Sequence, residues 1–357
     1  MNRLSRQKGG VQALKTWMSR LLALGCALVL TGCAARGAPP AETKLFAMDT
    51  IMSLSVYGKQ AQEALDRAVD TLYTLDADLS ATHPNSPIFE LNDAKGDWVS
   101  LPEEAFLLLE EALALCEQTG GALDLTAYAA VKAWGFTDGS YRVPTEEERL
   151  ALADRIDYAA VELDPARHAA RLPEHIVLDL GSVGKGWAGD LLSAQLREAG
   201  VSSALLDLGQ SSIQAVGRKP NGAPWRIGIQ DPAGDGYLGV LELEDRAMGT
   251  SGGYQRSFTQ QGETYWHIMD PKTAAPARSG LASVTVVADS GLLCDGLSTA
   301  LFVMGEEGAM DFRAEHPQLE FEVIFIDEAG KIAITQGLEE HFSLAKGYED
   351  RTLEVLP

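Results

Sequence analysis

Apolar residues recur along this chain with two periods, one typical of strands and one typical of helices. Alternation over residues 52–57 predicts a strand, and spacings of three and four residues predict helices over 61–79, 102–118, 187–198 and 292–304. Short apolar runs bounded by turn residues predict further strands at 175–180, 203–208, 225–230, 240–243, 283–287 and 322–326. Helices interspersed with strands that short turns connect indicate an α+β, or mixed α/β, fold.

The first 32 residues have the features of an export signal. Residues 1–20 carry Lys and Arg but no acid, and the apolar run at 21–30 is shorter than the about 20 residues of a membrane-spanning helix. The run leads into Leu-Thr-Gly-Cys, which resembles the lipobox of bacterial lipoproteins. Residues 1–32 are therefore predicted to be a lipoprotein signal peptide, with Cys33 lipidated. A plain signal peptide with an incidental cysteine is the alternative.

The chain after Cys33 divides into a tether and one domain. Residues 33–44 are small and Pro-rich, which is typical of a linker, and residues 45–357 contain no second linker. We therefore expect a single domain, lipid-anchored to a membrane and facing outward in the bacterial cell envelope. The remaining cysteines, Cys116 and Cys294, are expected to be buried as small apolar residues.

The charge balance excludes one class of partner. The chain has 29 Lys and Arg residues against 51 Asp and Glu residues, a formal charge of −22. A phosphate backbone is bound by clustered cations, so we expect no nucleic-acid partner. A hydrophobic content of 46% and a charged content of 22% are ordinary for a globular protein with a sizeable core.

A run of glycines lies between a predicted strand and a predicted helix. The segment HIVLDLGSVGKGWAGD places backbone amides and a helix N-terminus where they can hold a phosphate. From Gly184 it also satisfies GxGxxG, and Asp207 lies where the ribose-binding acid of a Rossmann unit would be. A third interpretation is that the glycines only permit close packing. A Walker A motif is excluded because neither Ser nor Thr follows Lys185.

Asp295 and Thr299 are four residues apart on a predicted helix, so their oxygens lie on one face. A carboxylate and a hydroxyl are hard donors that suit Mg²⁺. The same pair also occurs for structural reasons, as an acid near a helix start and a Thr that bonds back to a carbonyl. His267, in YWHIMDPKT, likewise has two interpretations, as a residue of the core or turn or as part of a site.

In this order, the segments resemble the ApbE family of FAD:protein FMN transferases, over nearly all of the chain that follows the signal. The segments that carry the resemblance are MDTIMSLSVYG, SPIFELN, GALDLTAYAAVKAWGF, LDLGSVGKGWAGD, LLDLGQSSIQAVGRKPNGAPWRIGIQDP, GTSGGYQRSF with YWHIMDPKTAAPA, and CDGLSTALFVMG. The resemblance implies an ApbE-like fold with mostly antiparallel sheets flanked by helices.

The resemblance also implies a site, residue by residue. FAD is expected, as a substrate, at the positions Met48, Thr82, Ala122, Leu123, Asp124, Asp179, Lys185, His267 and Ile268. Mg²⁺ is expected between Ser182, Asp295 and Thr299, where it would neutralise charge on the diphosphate. His267 is the candidate general base, and Asp124 is the alternative.

The implied reaction moves the FMN half of FAD through a phosphoester bond to a Thr of a partner protein and releases AMP. The implied acceptors are FMN-binding domains of exported or membrane redox proteins. Two other functions stay open: an FAD pyrophosphatase that gives FMN and AMP, and a lipoprotein that binds FAD without turnover. The chain departs from the family pattern at Thr82, where many members have an aromatic residue that stacks on the flavin. This departure concerns flavin affinity more than the chemistry.

Overall fold

The computed structural model describes residues 39–357. The predicted signal peptide, the predicted lipidation site at Cys33 and the first half of the predicted tether lie outside these residues. Within the described residues, no helix has the length and apolar character needed to cross a bilayer.

Helices and strands alternate along the described chain. Its α-helices are α1 (Ala61–Leu79), α2 (Pro87–Asp93), α3 (Glu103–Gln118), α4 (Tyr128–Ala133), α5 (Glu146–Ala153), α6 (Gly184–Glu198) and α7 (Gly291–Glu315). Its strands are β1 (Ala41–Ala47), β2 (Thr50–Val56), β3 (Val99–Ser100), β4 (Glu162–Asp164), β5 (Ala169–Arg171), β6 (Ser203–Asp207), β7 (Ser212–Gly217), β8 (Trp225–Gln230), β9 (Tyr237–Leu243), β10 (Ala247–Gly252), β11 (Ser257–Gln260), β12 (Glu263–Trp266), β13 (Met269–Asp270), β14 (Ala275–Pro276), β15 (Leu281–Ala288), β16 (Phe321–Asp327), β17 (Ile332–Thr335), β18 (Phe342–Leu344) and β19 (Leu353–Leu356).

One large sheet organises the domain. Its strand order is β1-β2-β6-β7-β10-β15-β16-β17-β19, and every neighbouring pair is antiparallel except β17 with β19. A second sheet has the order β18-β9-β8, and three smaller sheets have two or three strands each. The mixed fold with mostly antiparallel sheets is therefore confirmed.

Both faces of the large sheet are covered, which explains why β15 and β16 are buried at most positions. Val286 and Val323 pack in the core that contains the buried faces of α1, α3, α6 and α7. Their neighbours Val287 and Ile324 pack in a second core, with residues of β8 and β9. The large sheet is thus the middle layer between helices and the β18-β9-β8 sheet.

Most predicted elements are confirmed. The helix over Ala61–Leu79 and the strand over Trp225–Gln230 have the predicted bounds. The helix predicted over 292–304 continues to Glu315, but it is interrupted at Gly305, whose φ of 79° is not helical. The first strand begins at Ala41, four residues before the domain start predicted at Leu45. In the sequence, the polar residues Glu42 and Lys44 made this edge strand resemble a linker.

The strand predicted at 175–180 is wrong, although its alternate residues Ile176, Leu178 and Leu180 are buried. The amide side chain of Asn92 takes the place of a neighbouring strand: Asn92 Nδ2 donates to Leu178 O (2.8 Å), and Leu178 N donates to Asn92 Oδ1 (2.8 Å). Asp179 N donates to Leu125 O (3.1 Å). The backbone is thus satisfied without a ladder. A Rossmann unit needs a strand before the glycine turn, so this interpretation is also excluded.

Candidate functional site

One cavity of about 1310 Å³ collects residues that are far apart in the sequence. The predicted site residues that line it are Met48, Ala122, Leu123, Asp124, Asp179, Ser182, Lys185, His267, Ile268, Asp295 and Thr299. Thr82 is not among them. It lies on the exposed loop after α1, where Thr82 N donates to Ser80 Oγ (3.3 Å).

The glycine turn provides one wall of the cavity. Gly181, Ser182 and Lys185 line the cavity, and α6 begins at Gly184. The first amides of a helix lack intrahelical acceptors and can bind an anion. Here Gly184 N donates to Leu180 O (2.7 Å) and Gly186 N to Asp295 Oδ2 (2.7 Å), so among the described residues Ser182 N and Lys185 N are the amides of this turn left for a ligand. Asp179 Oδ1 accepts from Gly181 N (2.7 Å) and so orders the turn. Burial raises the pKa of the Asp179 carboxyl, while Gly181 N–H, Lys185 and Arg256 act in the opposite direction.

Asp295 lies in the second turn of α7, which begins at Gly291 and is capped by Ser290. Its carboxylate is 7% exposed. Asp295 Oδ2 accepts from Gly186 N and Oδ1 accepts from Ser212 Oγ, both at 2.7 Å. Burial raises its pKa, and Lys185 opposes that shift. The carboxylate therefore joins α7 directly to the helix that follows the glycine turn.

Thr299 lies one turn beyond Asp295 on the same helix. Its Oγ1 is 3.1 Å from Ser251 Oγ and 3.4 Å from the backbone oxygen of Asp295. The Thr299 hydroxyl thus makes the hydrogen bond to the Asp295 carbonyl that the sequence allowed, at a long distance of 3.4 Å. Because the hydroxyl also lines the cavity, its oxygen can serve a ligand as well.

The N-terminal turns of α6 and α7 meet backbone to backbone. A Cβ atom at Gly186 would collide with the carbonyl of Gly291, and a Cβ atom at Gly291 would collide with that of Gly186. Asp190 fixes this crossing: Oδ1 accepts from Gly291 N (2.6 Å), and Oδ2 accepts from Leu292 N (3.0 Å) and Ser290 Oγ (2.9 Å). A residue of α6 thus caps α7 and sets where Asp295 lies.

His267 follows β12 and contacts the β10–β11 connection. His267 Nδ1 lies 3.3 Å from Arg256 O; since a carbonyl only accepts, Nδ1 carries the proton in this contact and Nε2 is the acceptor. Burial first, and then the Arg256 guanidinium, lowers the pKa of His267 to about 4. The imidazole is therefore neutral at pH 7, and its own backbone contact fixes the tautomer that a base needs.

Asp124 caps a 3₁₀ turn at Leu125–Ala127. Its Oδ1 accepts from Thr126 N (2.8 Å) and Thr126 Oγ1 (2.6 Å), and Oδ2 accepts from Tyr158 N (3.1 Å). Burial raises its pKa, and these donors oppose the shift. With both oxygens engaged in holding the loop that carries Ala122 and Leu123, Asp124 suits positioning better than proton transfer.

Met48 occupies a strained turn at the edge of the cavity. Met48 and Asp49 join β1 to β2 with φ values of 48° and 59°, the pattern of a type I′ turn, in which Asn and Gly are usual. Met48 N donates to Asp76 Oδ1 (2.7 Å) on α1, which holds the turn in place. Strain of this kind persists where the surroundings fix it, often at binding sites.

Sequence reasoning missed several residues of this region. Asp190 and Asn92 lie within segments that carried the resemblance, but their roles depend on tertiary contacts. Arg256 lines the cavity and donates from Nη2 to Phe136 O (3.1 Å). Its proximity to His267 follows from the β11–β12 hairpin rather than from spacing in the sequence.

The fold and the cavity define a class: an α+β protein in which a glycine turn at a helix start, a buried carboxylate and a histidine line one large cavity. The chain belongs to the ApbE family, whose model matches residues 48–325. The FAD:protein FMN transferase of Treponema pallidum (strain Nichols) is 31% identical over 323 residues, covering 83% of this chain and 89% of that protein.

Solved structures agree with this assignment. The crystal structure of the ApbE protein of Thermotoga maritima has a TM-score of 0.79 and 29% identity, covering 85% of this chain and 99% of that one. The apo crystal structure of the flavinyl transferase ApbE of Pseudomonas stutzeri has a TM-score of 0.74 and 28% identity, covering 86% of this chain and 98% of that one. The predicted family is therefore confirmed.

Proposed function

We propose that this protein transfers the FMN half of FAD to a Thr hydroxyl of an acceptor protein and releases AMP. One observation carries the proposal: the glycine turn, Asp295 with Thr299, and His267 all line one cavity. The name of the Treponema pallidum relative, FAD:protein FMN transferase, supports the same reaction. The cavity is also large enough for a dinucleotide, since small-molecule sites typically enclose about 300–1,000 Å³.

The donor set fits Mg²⁺. A carboxylate has about four acceptor positions, and Asp295 uses two of them for Gly186 and Ser212, so capacity remains for a cation. Thr299 and Ser182 add only oxygens, the ligand type that Mg²⁺ prefers. Within residues 39–357, no group of three or more His, Cys, Asp or Glu side chains is arranged to hold a metal ion, which fits a cation that also relies on substrate oxygens. Bound Mg²⁺ would supply charge neutralisation at the diphosphate.

Each protein group then has a defined task. The backbone N–H groups of Ser182 and Lys185 and the Lys185 ammonium bind and orient the diphosphate. His267 Nε2 accepts the proton of the acceptor Thr hydroxyl as its oxygen attacks the phosphorus on the FMN side. The bond between that phosphorus and the bridging oxygen breaks, and AMP leaves with the bridging oxygen. Phosphoryl transfer needs little beyond this positioning and charge neutralisation.

The acceptors that we propose are FMN-binding domains of exported or membrane redox proteins. The export signal and the lipid anchor at Cys33 motivate this choice, because they would hold the enzyme at the outer face of a membrane in the cell envelope. Globomycin, which blocks lipoprotein signal cleavage, should therefore cause a larger precursor to accumulate. A chain of unchanged size in treated cells would refute the anchor.

Mass spectrometry of an acceptor domain tests the reaction. After incubation with the protein, FAD and Mg²⁺, we expect the acceptor to gain the mass of FMN less one water at a Thr, with one AMP released per adduct. FMN and AMP formed equally with or without acceptor would indicate a pyrophosphatase instead. FAD bound without any AMP release would indicate a carrier.

Asp190→Ala should lower the stability of the fold and raise the Mg²⁺ concentration that transfer requires. The substitution removes the acceptor for Gly291 and Leu292 N–H, so we expect a loss of about 1–3 kcal/mol in the free energy of unfolding. Because the crossing of α6 and α7 then loosens around Asp295, the Mg²⁺ concentration for half-maximal transfer should rise about tenfold, with the rate restored by excess Mg²⁺. Glu198→Ala, at an exposed position on α6, is the control. An unchanged Mg²⁺ requirement in Asp190→Ala would contradict this positioning role.

A further inference from the structure

One wall of the cavity takes no part in the FAD site proposed above. Five consecutive residues of β8, Arg226 to Gln230, line it, and the turn between β6 and β7 lines it as well. None of the residues assigned to FAD or Mg²⁺ lies on β8. A volume of about 1310 Å³ also exceeds the about 1,000 Å³ at the upper end of typical single-ligand sites. The cavity therefore has room for a second occupant beside FAD.

Strand β8 is the edge of its sheet. The order β18-β9-β8 leaves one side of β8 without a neighbouring strand. Within residues 39–357, no backbone hydrogen bond extends from Arg226, Gly228 or Gln230 to another element on that side. Such an edge presents N–H and C=O groups that can template a further strand.

The register shows which backbone groups face the open side. Glu242 N donates to His341 O, and Leu238 O accepts from Ala345 N, so alternate residues of β9 point toward β18. Gly239, Leu241 and Leu243 therefore point toward β8, where their partners are Ile229, Ile227 and Trp225. In an antiparallel ladder the intervening residues point the other way. The N–H and C=O groups of Arg226 and Gly228 thus face the open edge.

We propose that the acceptor protein docks by adding an extended segment to the open edge of β8, with main-chain hydrogen bonds to Arg226 and Gly228. This inference rests on the proposed function. An extended segment is the occupant that matches two residues whose N–H and C=O groups recur with strand spacing. Side chains of such a segment alternate between its two faces, so a Thr on the inward face enters the cavity that contains His267.

The β8 side chains alternate between buried apolar residues and the exposed Arg226, Gly228 and Gln230. A Cβ atom at Gly228 would collide with the ring of Tyr237 on β9, so packing within the sheet requires glycine at this position. In strand addition the main-chain hydrogen bonds give affinity, and pockets for alternate side chains give specificity.

A comparison of Arg226→Pro with Arg226→Ala tests whether the backbone N–H at the open edge of β8 binds the acceptor. Proline removes the outward N–H and is tolerated on edge strands, whereas alanine removes the side chain and keeps the N–H. With a folded FMN-binding domain as acceptor, we expect the KM for the acceptor to be at least about tenfold higher in Arg226→Pro than in Arg226→Ala. Equal KM values in the two variants would overturn the proposal. The Kd for FAD, measured on the same samples, reports whether the rest of the cavity is intact.

Amide-resolved hydrogen exchange on the unmodified protein provides a second readout that needs no variant. Addition of the acceptor domain should slow exchange at Arg226 and Gly228 by at least about tenfold, relative to Ile227 and Ile229, which already face β9. Protection of Arg226 and Gly228 by FAD alone, with none added by the acceptor, would assign the edge to the nucleotide and overturn the proposal. Absence of any protection would overturn it too.

The two hypotheses fail in different ways. If the unmodified protein modifies the acceptor, but the two Arg226 variants have equal KM values and the acceptor does not protect Arg226 and Gly228 from exchange, only strand addition is refuted. If the unmodified protein modifies no acceptor, the proposed function is refuted, and the docking inference is refuted with it.

Discussion

Asp295→Ala should lower the rate of FMN transfer by about 10²–10³-fold at saturating FAD, the range found when one fixed electrostatic stabiliser is removed from an active site. Asp295 is the one carboxylate among the proposed metal donors, and it is held at 2.7 Å from both Gly186 N and Ser212 Oγ. Its loss would remove the charged ligand that we propose for Mg²⁺, so added Mg²⁺ should not restore the rate. The measurement is the initial rate of AMP release with an acceptor domain present.

A matched control comes from the same helix. Asp311→Ala removes an exposed carboxylate of α7 that lies beyond the break at Gly305, and its transfer rate should stay within about twofold of the unmodified protein's rate. Melting curves of both variants separate loss of chemistry from loss of fold. If folded Asp295→Ala transferred FMN at the normal rate, Asp295 would not be a ligand of the metal.

His267→Ala should lower transfer by about 10²–10⁴-fold, the usual contribution of a positioned general base. The Nδ1 contact with Arg256 O leaves Nε2 free to accept the Thr proton. His175→Ala, which truncates an exposed histidine outside the cavity, is the control and should be close to normal. Transfer that persists in His267→Ala would assign the base elsewhere.

The pH profile gives an independent test of the same residue. Burial and Arg256 lower the pKa of His267 to about 4, so the base is already deprotonated at pH 5 and becomes protonated only as the pH falls through about 4. The value of kcat/KM for FAD, which reports the free enzyme, should therefore be flat from pH 8 to about pH 5 with respect to this group. A decrease centred near pH 6.5 that disappears in His267→Ala would contradict the lowered pKa.

Periodicity alone predicted the four longest helices, α1, α3, α6 and α7, and the strands β2, β6, β8, β9, β15 and β16, because an amphipathic face reports directly which residues meet a core. It did not predict the remaining helices and strands. It failed at 175–180, where a buried apolar run indicated a strand. The side chain of Asn92, more than eighty positions away, satisfies the backbone there instead. No local pattern reveals such a bond, since it exists only after the chain has folded.

The candidate site likewise contains residues that the sequence indicated and residues that only the folded structure reveals. Asp295, Thr299 and His267 had plausible structural roles when considered singly, and only the ordered family segments brought them together. Asp190 and the open edge of β8 depend on helix crossing and sheet order, which sequence spacing does not encode. Asp124 was the alternative base that the family resemblance implied, and its contacts with Thr126 and Tyr158, which the sequence did not reveal, give it a role in holding a loop.

A crystal structure with FAD and Mn²⁺, an anomalous scatterer that replaces Mg²⁺, would show directly whether Asp295 and Thr299 hold a metal ion beside the diphosphate. We expect one anomalous peak bonded to the Asp295 carboxylate and the Thr299 hydroxyl, with the FAD diphosphate between that peak and the amides of Ser182 and Lys185. A diphosphate bound elsewhere in the cavity, or a metal peak that does not contact Asp295, would contradict the account.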